Sequence, residues 1–355
     1  MIPANLYQTL YLFLVLISTL VSYRNKRLPY EKENSLGGVF LCIFMILFIG
    51  LRPVSYEFVD MMNYANWWKN TPVWNGFDYY AENMIFDNLY YYMSSQSMPI
   101  WIFFLIIAAI YFICMYVSCK KMFPNHVYLA FLVCLGAFST FSYGTNGIKA
   151  GAAASLFLVA LAYRDKKIIS IIFVFVSWGF HHSMQLPVIA YVISLFFKKK
   201  EWYFGGWVFC LLMALAHVTV FQNIFAGFTD ESGNDYLSTV NSGWGGRTGF
   251  RIDFVMYSAM PVIMGYYVKY RYKLNDFIYD NLLNVYLTCN GVWMLCMYAS
   301  FTNRIAYLSW FMYPIVLIYP CFKINDINHP LVRNRNKIIL LHLGFTLFMS
   351  FIYYA

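Results

Sequence analysis

The sequence has little charge: 12% of its 355 residues are Asp, Glu, Lys or Arg, against roughly 25% in ordinary soluble domains. Hydrophobic residues make up 61% of the chain, and the mean hydropathy is +0.55. The apolar residues extend along the whole chain, which excludes a soluble enzyme with one membrane anchor. The apolar runs are continuous rather than alternating, which argues against a β-barrel. An all-α polytopic membrane protein is therefore expected.

The sequence also lacks the motifs of metal and nucleotide chemistry. Its eight cysteines lie in or beside apolar runs, without a CxxC pair or a Cys/His cluster at metal-ligand spacing. There is no P-loop, no dinucleotide-binding glycine motif and no DxD-like pair of acidic residues on the expected outer face. We therefore expect no cofactor and no bound metal, and we interpret the cysteines as small buried residues.

Twelve apolar runs are long enough to be membrane-spanning helices, if short runs are sheltered by their neighbours. We expect one integral membrane domain, residues 1–355, with long loops outside the cytoplasm at 52–97, after the second span, and at 223–251, after the eighth. The runs cover residues 5–22, 37–51, 98–117, 127–143, 147–163, 168–180, 183–197, 203–222, 252–268, 281–299, 304–322 and 338–354.

The basic residues predict the orientation of these spans. The first run is followed, not preceded, by basic residues, so the N-terminus is expected outside. With that orientation, 19 of the 25 Lys and Arg residues lie in cytoplasmic connections. The positive-inside rule thus explains the net charge of +9 without a nucleic-acid partner. The six remaining basic residues, on the outer side, are Arg52, Lys69, Lys149, Arg247, Arg251 and Arg304.

The loop at 52–97 combines five carboxylates with thirteen aromatic residues. Such rings form either an interfacial belt or a surface that faces saccharides. Within this loop, Asp60 lies in a mostly apolar patch, where partial desolvation would raise its pKa and suit it to proton abstraction. The alternative is a structural Asp60, either as a helix cap or in an ion pair with Arg52.

Other polar residues occur at the expected outer ends of spans. Lys149 lies in the first turn of a helix rich in small residues and either serves a site or extends to the interface. His181 follows a thirteen-residue run, about 20 Å of helix, and is therefore expected in a recess. Asn303 and Arg304 begin the eleventh run. Arg247 and Arg251 either bind a ligand or pair with nearby aspartates, for example Arg251 with Asp253.

Several short segments together resemble the EpsG/Wzy-type polysaccharide polymerases. They are Gly50-Leu-Arg-Pro followed by Asp60 and Tyr64, then Asn146-Gly-Ile-Lys-Ala-Gly, Phe180-His-His-Ser-Met, and Asn303-Arg-Ile-Ala-Tyr. The resemblance covers about residues 50 to 310. It implies functional roles for Arg52, Asp60, Tyr64, Lys149, His181 and Ser183, although Lys149 stands where the family more often has arginine, which alone binds phosphate bidentately.

The resemblance implies a glycosyltransferase in the bacterial inner membrane that joins undecaprenyl-diphosphate-linked oligosaccharides on the periplasmic side. The implied partners are those lipid-linked donor and acceptor saccharides, membrane lipids and a chain-length regulator. Arg52, Lys149, Arg304, Arg247, Arg251, Tyr64, Asn146 and Asn303 are expected to bind substrate. The base is Asp60 or His181. A twelve-span flippase of the same lipids, a membrane acyltransferase and an O-antigen ligase are the alternatives.

Overall fold

The computed structural model describes residues 2–24, 35–71, 74–225, 249–299 and 301–353, and all regular structure in these ranges is helical. The chain forms two compact units. The first contains residues 1–181 and 321–355, and the second contains residues 182–320.

The first unit is formed mainly by the N-terminal half of the chain. Short 3₁₀ turns at Ala4–Leu6 and Tyr56–Phe58 and a π-helical end at Met349–Tyr353 accompany its α-helices. These α-helices are α1 (Tyr7–Arg24), α2 (Ser35–Gly50), α3 (Asp60–Lys69), α4 (Met84–Ser95), α5 (Ile100–Met122), α6 (Val127–Leu135), α7 (Phe138–Thr145), α8 (Ile148–Ala162), α9 (Lys167–Phe180), α17 (Pro330–Arg333) and α18 (Arg335–Phe348).

The second unit begins with a 3₁₀ turn at His182–Met184, and its helix α13 continues as a π-helix at Tyr267–Arg271. Buried hydrogen bonds connect three helices of this unit: Asn290 accepts from the Trp207 indole at 2.9 Å and donates to Ser309 at 3.0 Å. Its helices are α10 (Gln185–Phe196), α11 (Lys200–Leu215), α12 (Val220–Phe225), α13 (Ile252–Tyr266), α14 (Phe277–Leu295), α15 (Thr302–Trp310) and α16 (Tyr313–Lys323), the last of which ends in the first unit.

Every one of the twelve apolar runs overlaps a helix, which confirms the all-helical prediction. Among the described residues, four helical segments are long and apolar enough to cross a membrane by themselves: Ala4–Tyr23, Ile100–Met122, Thr302–Lys323 and Arg335–Tyr353. The other described helices are shorter or less apolar, so the count of twelve spans stays a prediction. The expected loop at 52–97 contains two helices, α3 and α4, and most of the expected loop at 223–251 lies outside the described residues.

The fourth apolar run is broken where a single span was expected. Its two halves, α6 and α7, bend by 76°. A bend of this kind leaves backbone carbonyls without helical partners, and in an apolar surrounding each must be satisfied by another group. Side chains contact four successive carbonyls here: His342 that of Val133, Thr140 that of Cys134, Tyr11 that of Leu135 and Thr346 that of Gly136.

Helix α8 forms the centre of the first unit, because its small residues allow close packing. Ala152, Ala153 and Ala154 are fully buried. A Cβ added at Gly151 would lie 2.5 Å from the backbone oxygen of Tyr143, so only glycine allows α7 and α8 to meet at this distance. The glycine-alanine segment thus fixes the start of α8, where Lys149 lies.

The distribution of basic residues gives a testable orientation. We expect both termini and residues 52–97 outside the cytoplasm and Lys198, Lys199 and Lys200 inside. Asp78 is exposed, so a cysteine at this position should react with a membrane-impermeant maleimide in intact cells whose outer membrane, if present, is permeabilised. A cysteine at Lys199 should react only after lysis. The reverse labelling pattern would show that the predicted orientation is wrong.

Candidate functional site

Arg52 joins the ends of two helices in the first unit. Its side chain is buried, with 4% exposed. Nη1 donates to the carbonyl of Ile49, in the last turn of α2, and Nη2 donates to the carbonyl of Thr145, the last residue of α7, both at 2.7 Å. A cation is favourable at helix C-termini, where carbonyls lack helical partners. Arg52 therefore fixes α2 and α7 relative to each other.

The charge of Arg52 is held in an aromatic environment. The guanidinium carbon lies 5.3 Å from the ring centre of Phe58 and 5.2 Å from that of Phe104. Burial lowers the pKa of Arg52 to about 9, so the guanidinium stays charged at neutral pH. Among the described residues, no carboxylate pairs with it. The first unit thus contains a buried positive charge that carbonyl dipoles only partly balance.

Asn146, the next residue after Thr145, connects the contacts of Arg52 to Asp60. The side-chain oxygen of Asn146 accepts a hydrogen bond from the backbone N–H of Asp60 at 3.1 Å. Asp60 is the first residue of α3, and the preceding Val59 has no side-chain acceptor for that terminus. Asn146 thus supplies a helix cap from 86 positions away along the sequence.

The backbone at the start of α3 is strained. Val59 has φ +43°, in a region that β-branched residues rarely adopt. Such conformations persist only when surrounding contacts impose them, and they occur preferentially at functional sites. Asp60 follows directly and is half-buried. The Asp60 carboxylate thus lies at a helix N-terminus, beside the positive end of the helix dipole.

Lys149 lies at the second position of α8 and faces an aromatic cluster. Its ammonium is 6.0 Å from the ring centre of Phe86 in α4. The Phe86 ring in turn contacts the Tyr64 ring at 5.9 Å, and the Tyr90 hydroxyl donates to the Tyr64 carbonyl at 2.6 Å. Helices α3 and α4 are thereby fixed to each other beside the first turn of α8.

The same cluster extends to the end of α9. The ring of Phe86 lies 6.3 Å from that of Phe180, the residue before His181. His181 is the C-terminal cap residue of α9 and is buried, with 5% exposed. A Cβ added at Gly179 would lie 2.6 Å from Ile85, so α9 and α4 pack closely. The burial of His181 agrees with the recess that the short apolar run before it predicts.

The other candidate residues lie in the second unit or outside the described residues. Arg304 is half-buried in α15, with its guanidinium 5.2 Å from the Phe301 ring, and the neighbouring Asn303 is exposed. Ser183 is buried in the 3₁₀ turn at the start of the unit. Arg251 forms a two-point ion pair with Asp253, at 3.0 and 2.6 Å, which was the alternative that the sequence left open. Arg247 lies outside the described residues.

The first unit therefore brings together Arg52, Asp60, Tyr64, Asn146 and Lys149, and it places His181 next to the same aromatic cluster. We refer to Arg52, Asp60, Tyr64, Asn146 and Lys149 as the Arg52–Lys149 cluster. Sequence reasoning missed two members of its surroundings. Thr145 contributes only a backbone carbonyl, which leaves no signal in the sequence, and Phe86 is one of many aromatic residues in its segment.

No group of three or more His, Cys, Asp or Glu side chains in the described part of the chain could hold a metal ion.

Comparisons with known proteins assign the chain to a family. Searches of curated proteins and of solved structures found no match. A family model described as the EpsG family matches residues 36–355, which include the whole Arg52–Lys149 cluster. The chain belongs to the EpsG family.

Proposed function

We propose that the protein is a polysaccharide polymerase that joins undecaprenyl-diphosphate-linked oligosaccharide repeats on the periplasmic face of the bacterial inner membrane. Family membership supports a polymerase of this general kind. The single observation that carries the proposal is the coupling of Arg52 to Asp60 through the consecutive residues Thr145 and Asn146. This coupling places a carboxylate and a buried cation on one rigid framework.

The reaction needs two functions that this framework can supply. The acceptor hydroxyl attacks the anomeric carbon of the donor sugar, and the bond from that carbon to the diphosphate oxygen breaks. A base accepts the hydroxyl proton, and cations stabilise the negative charge that develops on the departing lipid diphosphate. Asp60 or His181 is the base in this scheme, and Arg52 and Lys149 provide positive charge.

The contacts divide the cations into two kinds. Arg52 uses one N–H of each terminal nitrogen on a carbonyl and is nearly inaccessible, so it acts on the substrate mainly through its charge and through the position of Asn146. Lys149 is half-buried beside aromatic rings and is the cation of the cluster that can approach a phosphate directly. For Arg304, Asn303 and Arg247, substrate binding stays a prediction from the sequence.

Deletion of the gene tests this proposal against its alternatives. We expect cells that lack the protein to present surface lipid carrying single repeats, detected by gel electrophoresis and mass spectrometry of the saccharide. Absence of external repeats would instead identify a flippase, and free polymer that is not attached to its final acceptor would identify a ligase. Normal surface polymer in the deletion strain would contradict all three functions.

Catalysis is expected to need no divalent metal, because the cluster stabilises a diphosphate with fixed cations. The purified protein, supplied with lipid-linked repeats, should form polymer at the same rate with and without EDTA. Loss of polymer formation in EDTA and recovery with Mg²⁺ or Mn²⁺ would contradict this cationic mechanism.

A further inference from the structure

An ordered loop between α3 and α4 presents aromatic rings to the exterior. In residues 77–82, here called the aromatic loop, Tyr80 is 98% exposed, Tyr79 is 76% exposed and Phe77 is 44% exposed. The rings of Phe77 and Tyr79 lie 4.9 Å apart. Exposed aromatic groups of this size normally mark a contact surface, because water hydrates them poorly.

The buried side-chain amide of Asn88 fixes the backbone of this loop. Asn88, with 4% exposed, accepts from the backbone N–H of Asp78 at 2.7 Å and donates to the Asp78 carbonyl at 2.8 Å. The Asp78 carboxylate accepts from the backbone N–H of Tyr80 at 2.8 Å. The two tyrosines are therefore held on an ordered backbone, which lowers the entropic cost of binding a ligand.

The charge around the aromatic loop restricts what can bind there. Residues 70–99 contain Asp78, Glu82 and Asp87 and no Lys or Arg. In α4, burial and the carboxylates of Asp87 and Asp78 raise the pKa of Tyr91. Within this segment, an anionic lipid headgroup or the diphosphate of the lipid donor would find no basic residue to pair with.

We propose that the aromatic loop binds sugar rings of the oligosaccharide repeat through Tyr79 and Tyr80, and so forms a saccharide site separate from the Arg52–Lys149 cluster. The apolar C–H face of a sugar packs on an aromatic ring, and its hydroxyls donate to neighbouring carboxylates. The acidic surroundings suit an uncharged or amine-bearing sugar. This inference rests on the proposed function for the identity of the saccharide.

The test measures saccharide binding without catalysis. The full-length protein in nanodiscs of zwitterionic lipid is mixed with size-fractionated fragments of the cell's own surface polysaccharide, and binding is measured by saturation-transfer NMR. We expect the double variant Tyr79→Ala/Tyr80→Ala to weaken binding by about tenfold or more, since two stacking surfaces are lost. Tyr267→Ala, at a 54% exposed tyrosine of the second unit, is the matched control and should bind normally.

Equal binding by the double variant and the wild type, or no binding by the wild type, would overturn the proposal. A second measurement tests the lipid alternative: strong quenching of a Tyr80→Trp variant by brominated lipid, beyond that of the wild type, would show that the loop inserts into the membrane and would also overturn it. Binding by a protein whose deletion leaves the surface polymer unchanged would retain the saccharide site and refute the polymerase function instead.

Discussion

Asp60→Asn is expected to lower the rate of polymer formation by about 10² to 10⁴, the usual contribution of a positioned general base. The substitution removes the basic oxygen and keeps the size of the side chain. It also keeps the backbone N–H that donates to Asn146, so α3 should stay in place. The measurement is polymer formation by the purified protein on lipid-linked repeats, with the fold of the variant checked by thermal unfolding.

Two further variants assign the loss of activity to Asp60. Glu57→Gln removes an exposed carboxylate in the neighbouring 3₁₀ turn and should leave the rate unchanged. His181→Ala removes the other candidate base. The residue whose loss abolishes polymer formation is the one that accepts the proton. Wild-type rates in Asp60→Asn would remove Asp60 as the base, and wild-type rates in both variants would remove the mechanism.

Arg52→Gln is expected to destabilise the protein and to abolish polymer formation. The substitution leaves the buried carbonyls of Ile49 and Thr145 without their charged donor, and each unsatisfied buried group costs about 1–3 kcal/mol. A fall in the free energy of unfolding of about 2–6 kcal/mol is therefore expected for the two carbonyls together. Thermal unfolding in detergent or nanodiscs measures the stability, and the assay with lipid-linked repeats measures the activity.

Arg52→Lys keeps the charge and tests whether geometry matters. A single ammonium cannot reproduce the planar fork that joins two helix ends, so an intermediate stability and a low kcat are expected. Lys69→Gln, at an exposed cation in the last turn of α3, is the control and should leave both quantities unchanged. A raised KM with unchanged stability and kcat would show instead that Arg52 binds the substrate directly.

Some features of the site were predictable because they depend on local sequence. Asp60, Lys149 and His181 were predicted as site residues because they are polar residues near the ends of apolar runs. The small residues after Asn146 predicted close packing at the start of α8, and Gly151 confirms it. The pairing of Arg251 with Asp253 was also accessible from the sequence, since only two positions separate these residues.

The sequence by itself determined the class of protein and the expected orientation, because burial in lipid requires long apolar helices and the positive-inside rule depends only on where basic residues occur. The tertiary structure alone decided how polar groups far apart in the sequence pair. Arg52 reaches a carbonyl 93 positions away and Asn146 caps a helix 86 positions away. Such pairings are selected by the high cost of leaving buried polar groups unsatisfied, and the chain meets that requirement with whichever groups the fold brings near.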